Sequence, residues 1–111
     1  MPHEKFQSCI EACYACAAEC DHCAVWCLSE QDAQSLARCV KLDMDCAQMC
    51  RLAASCMARG SEFSQAICRL CADVCQACGE ECAKHEMDHC QRCAQACRKC
   101  ADECTRMAAT A

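Results

Sequence analysis

The chain has 111 residues and a net charge of −5, and 20 of its residues are cysteine. That length allows one domain. No apolar run approaches the roughly 18 residues of a membrane span, and no basic stripe suits a nucleic acid, so a transmembrane protein and a nucleic-acid binder are both excluded. Leu, Ile, Val and Phe together number only 12, about half of the roughly 20% below which disorder is expected. If the chain folds, cysteine is its core.

Two glycines and one proline leave little from which to build loops, which speaks against a loop-rich disulfide miniprotein. Between the cysteines stand good helix formers, Ala, Glu, Gln, Lys, Arg, Met and Leu. A first helix is predicted near 4–28, where Cys9, Cys13, Cys16, Cys20, Cys23 and Cys27 follow one another at steps of 4, 3, 4, 3 and 4. Steps of three and four return a side chain to one face of a 3.6-residue helix and trace a bundle seam. Ser29-Glu30-Gln31-Asp32 reads as a capping-box-like start for a second helix over 31–59. Its cysteines, Cys39, Cys46, Cys50 and Cys56, are sparser, with Leu42 and Ala53 available to fill the seam between them. Gly60 suits the left-handed residue that ends a helix, and Ser61 is placed to start the next.

The third helix, near 62–84, carries Cys68, Cys71, Cys75, Cys78 and Cys82 at steps of 3, 4, 3 and 4. Gly79 lies inside it at a cost of about 1 kcal/mol relative to Ala, for which the sequence offers no account. Lys84-His85-Glu86-Met87 is read as a break, since one helix from about 61 to 107 would be far beyond ordinary length. The fourth helix, near 87–108, repeats the cadence in Cys90, Cys93, Cys97, Cys100 and Cys104. Short connections make neighbours antiparallel. The expected fold is all-α, an up-down-up-down four-helix bundle over residues 1–111 with a cysteine-lined core. The charged residues Arg98, Lys99, Asp102 and Glu103 fall on the solvated face, and His22, Tyr14 and Trp26 lie beside the seam and point outward.

Cysteine packs as a small hydrophobe, but Leu packs a bundle better and does not oxidise, so sulfur is present for its chemistry. Cysteines three or four apart on one helix are poorly placed to bridge, which disfavours disulfides. Metal remains. Soft thiolates select Cu(I), Zn(II) or iron–sulfur clusters. Zinc wants closed tetrahedral sites, and the Cys-x2-Cys-x2-Cys-x3-Cys-Pro run of iron–sulfur ferredoxins is absent. Cu(I) accepts two or three sulfurs, and each thiolate can bridge two ions. Twenty thiolates in a narrow core are prohibitive unless neutralised. Monovalent copper at about one ion per thiolate achieves this, a load on the order of 20 ions. A zinc-buffering or iron–sulfur redox protein is the alternative.

The ladder Cys90-Gln91-Arg92-Cys93-Ala94-Gln95-Ala96-Cys97-Arg98-Lys99-Cys100, repeated over four helices, resembles the bacterial copper storage proteins over nearly the whole chain. It is similar to their cytosolic branch, because Met1-Pro2-His3-Glu4-Lys5-Phe6-Gln7 has no apolar stretch of an export signal. The resemblance implies a cytoplasmic, non-catalytic homotetramer that sequesters many Cu(I) ions on all 20 cysteines in a redox-silent form. It also implies a more open bundle end where histidines assist entry. His89 and then His85 are the candidates there, clustered with Met87; four residues apart, both imidazoles could face one ion if the stretch is helical. Asp43 is expected toward the same region. Met57, Met107 and His3 mark the opposite end.

Overall fold

The cysteine cadence becomes four α-helices: α1 over Gln7–Leu28, α2 over Ala37–Ala58, α3 over Ser64–Ala83 and α4 over Asp88–Ala109. The computed structural model describes residues 6–110, so His3 lies outside the described residues. The helices run antiparallel to their neighbours in a rod of 47 × 18 × 18 Å. α1 lies against α2 and α4, and α3 lies against α2 and α4. Among the described residues there is no strand, and no helix is long and apolar enough to cross a membrane.

Every cysteine is buried, and alanines flank the seams as Ala12, Ala17, Ala24, Ala47, Ala54, Ala94 and Ala101. Small residues at these positions let four helices close on so narrow an axis. Gly79 has its explanation here. An added Cβ would stand 3.1 Å from Cys97 Cβ and 3.6 Å from the Ala94 carbonyl oxygen. The interior glycine therefore lets α3 and α4 approach closely.

The helix ends depart from expectation in two places. Ser29 to Asp32 do not start a helix: Ser29 closes α1, and a short 3₁₀ turn, Ala33–Leu36, leads into α2. Leu36 precedes α2 and offers no side-chain cap. The acid expected in a capping box, Asp32, makes no side-chain cap, and its neighbour Glu30 reaches across the bundle end. Ser61 does not cap α3 directly. Its hydroxyl accepts from the Phe63 N–H at 3.1 Å, and the helix begins at Ser64.

The end of α2 is as the sequence suggests. Gly60 has φ 66°, and the N–H groups of Ser61 and Gly60 return to the carbonyls of Cys56 (2.9 Å) and Met57 (3.1 Å). This is a Schellman motif. At the third connection Gln91 on α4 donates its side-chain amide to the His85 carbonyl at 2.6 Å, closing the end of α3 from across the break. Gly60→Ala places a Cβ in the left-handed region and should lower the stability of the reduced, metal-free protein by about 1–2 kcal/mol, read by urea unfolding.

Candidate metal centre

Because each seam steps by threes and fours, the four helices deliver their sulfurs to one axis in successive layers. Between α1 and α4 the facing pairs are Cys9–Cys104 (3.7 Å), Cys13–Cys100 (3.6 Å), Cys16–Cys97 (3.7 Å), Cys20–Cys93 (3.6 Å) and Cys23–Cys90 (3.8 Å). Between α2 and α3 they are Cys39–Cys82 (3.4 Å), Cys46–Cys75 (3.6 Å) and Cys50–Cys71 (3.8 Å). The layers are stitched together by Cys16–Cys46 (3.8 Å), Cys50–Cys100 (3.7 Å) and Cys20–Cys78 (4.0 Å). Cys27 completes the layer of Cys23 and Cys90, and Cys68 lies with Cys9 and Cys104. These are thiols in contact, not disulfides. The result is a tube of sulfur in which groups of four thiols, such as Cys16, Cys46, Cys50 and Cys75 or Cys23, Cys27, Cys39 and Cys90, lie within 4.8 Å of one another.

The second helix carries its share by different residues. Leu42, expected to fill the seam, is only half-buried. Asp43 takes the place, 0% exposed. The seam of α2 is Cys39, Asp43, Cys46, Cys50, Ala53 and Met57, which restores the steps of four and three. Asp43 Oδ1 accepts from the thiols of Cys78 (3.1 Å), Cys93 (3.3 Å) and Cys82 (3.4 Å), and Oδ2 from Cys39 (3.9 Å). Cys56 is the exception among the cysteines. It is off this seam, 5% exposed, and among the described residues its sulfur meets Arg59 Nη2 at 3.6 Å and no other thiol.

The two histidines separate. The break after Ala83 puts His85 outside both helices, and its Nε2 donates to Glu81 Oε2 at 2.9 Å. With Arg38 and Lys84 also on Glu81, that carboxyl is held down at about 2, the His85 hydrogen bond being the largest cause. His85 is thus committed to an ion-pair cluster beside the tube. His89, in the first turn of α4, is buried on the thiols: Nδ1 lies 3.4 Å from Cys23, 3.6 Å from Cys90 and 4.0 Å from Cys27. Its Nε2 meets Glu30 Oε2 at 2.8 Å. The carboxylate accepts a hydrogen bond from Nε2–H and leaves Nδ1 facing sulfur, the arrangement that orients an imidazole toward a metal. Burial pushes the neighbouring Cys27 and Cys90 thiols up, Cys90 to about 11, so both are protonated until something displaces the proton.

Against known proteins, a family profile described as copper storage protein matches residues 2–109. The cysteine-rich protein YhjQ of Bacillus subtilis (strain 168) is 50% identical over 83 residues, 75% of this chain and 77% of that one. A Cu(I)-bound copper storage protein, BsCsp3, superposes with a TM-score of 0.89 at 50% identity, covering 93% of this chain and 97% of that one. A cytosolic copper storage protein from Streptomyces lividans, holding five coppers, gives a TM-score of 0.94 at 40% identity over 99% of this chain and 97% of that one.

Asp43 also gives the core a pH dependence. Burial first, then the facing Cys93 and Cys39, push its carboxyl up from 3.8 to about 8. The folded protein holds this proton where the unfolded chain has lost it. The contribution to stability is therefore complete below about pH 4 and is lost as pH rises to about 8, at up to about 1.4 kcal/mol per pH unit. Glu81 acts with the opposite sign and only below its ordinary 4.5, so the two windows overlap only near pH 4. Asp43→Asn should flatten the slope between about pH 4 and 8 in urea unfolding of the reduced, metal-free protein.

Proposed function

The chain belongs to the copper storage protein family, and on that premise we propose that it stores cuprous ions along the sulfur tube, with every cysteine except Cys56 as a ligand and His89 at the point of entry. The observation that carries this reading is the run of sulfur–sulfur contacts from Cys9 and Cys104 to Cys20, Cys78 and Cys93, carried on through Asp43 to Cys82 and Cys39 and so to the group of Cys23, Cys27, Cys39 and Cys90. A discrete zinc or iron–sulfur site needs four thiols and no more. A continuous line of bridging sulfurs suits an ion that accepts two or three of them.

The chemistry of loading follows from charge. The core thiols are neutral acids in a dry interior, and each Cu(I) that binds displaces one proton. Ion and thiolate then cancel, so the tube remains neutral at every stage of filling. A divalent ion would have to displace two protons, and the tube would be neutral at about half as many ions. Entry at His89 is supported by its lone pair on the outermost thiols and by the orienting Glu30. An imidazole there takes an ion from a donor and passes it to Cys23, Cys90 and Cys27. Ions held deeper are shielded from solvent and from redox partners, which is storage without turnover.

The cytoplasm is the compartment that keeps so many thiols reduced, and a cytosolic store is our reading. We read the protein as a homotetramer. Met44, Leu52 and Leu70 stand exposed on the outer faces of α2 and α3, where packing of one bundle on another would cover them.

An anaerobic Cu(I) titration of the reduced protein against a strong chromogenic chelator tests the store. The protein should withhold on the order of 20 ions, Cys75→Ser about one fewer, and Cys56→Ser an unchanged load. Saturation at one to four ions would overturn the tube. Entry is tested by stopped-flow transfer from a chelated donor. Glu30→Gln should weaken the first binding event by about 10–100-fold and His89→Ala by at least as much, with the final load reduced by no more than about one ion.

A further inference from the structure

The seams do not end with their last cysteines. At the end of the tube remote from His89, the next seam position on α2 is Met57, 0% exposed, and the preceding one on α3 is Ser64, 4% exposed. On α4 the position after Cys104 is Met107, half-buried against the same core, and on α1 the position before Cys9 is Phe6, likewise half-buried against it.

The register places these side chains at one level. Cys39–Cys82, Cys46–Cys75 and Cys50–Cys71 follow one another by equal steps forward along α2 and back along α3. One further heptad sets Met57 opposite Ser64. On the other pair of helices, three residues beyond the Cys9–Cys104 contact, Phe6 stands opposite Met107. The layer beyond Cys9, Cys68 and Cys104 is therefore made of two thioethers, one aromatic ring and one hydroxyl.

The hydroxyl is the anomaly. Ser64 Oγ is fully enclosed and has no hydrogen-bond partner among the described residues, a situation native structures avoid unless the group has a use. Met57, wholly buried, takes the seam position one layer beyond the last thiols. A thioether is a soft ligand for Cu(I) and, unlike a thiolate, brings no charge. That difference matters at a terminus. A thiolate inside the tube has ions on both sides, whereas one at the end has an ion on one side only, and an additional thiolate there would leave buried negative charge uncompensated. A neutral sulfur completes the coordination of the last ion without it.

We propose that the end of the tube remote from His89 is a mixed thiolate–thioether cuprous site, in which Cys9, Cys68 and Cys104 supply thiolate and Met57 the thioether. Ser64, one helical turn before Cys68 on the same face of α3, donates a hydrogen bond from its hydroxyl to the thiolate that copper creates. Phe6 and Met107 close the end over the site. The inference rests on the storage reading and adds a ligand type and a terminus to it.

Met57→Leu keeps the volume of the side chain and removes the sulfur. In the chelator competition it should retain about one ion fewer than the native protein while its thiolate-to-copper absorption otherwise develops as before. In native protein labelled with ¹³C-methyl methionine, the Met57 methyl resonance, identified by its loss in the variant, should move on copper loading while that of the exposed Met44 stays in place. An unchanged load in Met57→Leu overturns the site, and so does a Met57 resonance that does not move at full loading. If the native protein develops no thiolate-to-copper absorption at all, the storage reading itself has failed and the terminal site with it.

Discussion

The structure depends on one constraint: a column of closely packed sulfur atoms can share a dry core only while it carries no net charge. As thiols the sulfurs satisfy it by keeping their protons, and as thiolates by exchanging each proton for a monovalent ion. Both conditions present the same compact, weakly polar surface to the surrounding helices, so one backbone can serve for both. The narrow bundle, the flanking alanines and the interior Gly79 are consequences. They bring four backbones close enough that sulfurs from different helices touch, and a larger residue at those positions would separate the seams and break the column into isolated groups.

Asp43 is the one core group that does not obey the sulfur pattern, and it sits where four cysteines converge. A buried carboxyl among thiols is tolerable only if it is neutral or accepts hydrogen bonds from several donors. Here it does the second with Cys78, Cys82, Cys93 and Cys39, and burial drives it toward the first. It interrupts the sulfur lining of α2 between Cys39 and Cys46 and gives the thiols around it an oxygen neighbour. The region between the His89 end and the middle of the tube is thereby chemically unlike the rest.

The two ends differ for a related reason. At one, Glu30 and His89 form a polar pair whose second nitrogen reaches the thiols, and Glu81 gathers His85, Arg38 and Lys84 beside it. At the other, the seam runs out into methionine, phenylalanine and one enclosed hydroxyl. The entry proposed at His89 lies at the charged rim, and the two ends are unlike although the layers of thiol between them are nearly equivalent.

What could be read from the order of residues was whatever depends on helical periodicity. The steps of three and four identified the four helices, their inward faces and nearly all the thiols that line the axis, because a period of 3.6 residues assigns a side chain to a face without reference to any other helix. Gly60 was legible for a similar reason, since a left-handed helix end is a local requirement. The rest depended on which helix lies opposite which. Asp43 followed the same steps as the cysteines, but only the convergence of Cys78, Cys82 and Cys93 on its oxygens shows that a carboxyl can occupy that place. Cys56 carries the same side chain as the others and was counted with them, yet α2 turns it off the axis toward Arg59. His85 and His89 have the spacing of a ligand pair, and the break between α3 and α4 gives one to Glu81 and the other to the tube. Glu30 carried no role within the expected capping box, and only the antiparallel packing of α1 and α4 brings it to His89. Periodicity is a property of one helix; these four outcomes are properties of two or more, and only their packing decides them.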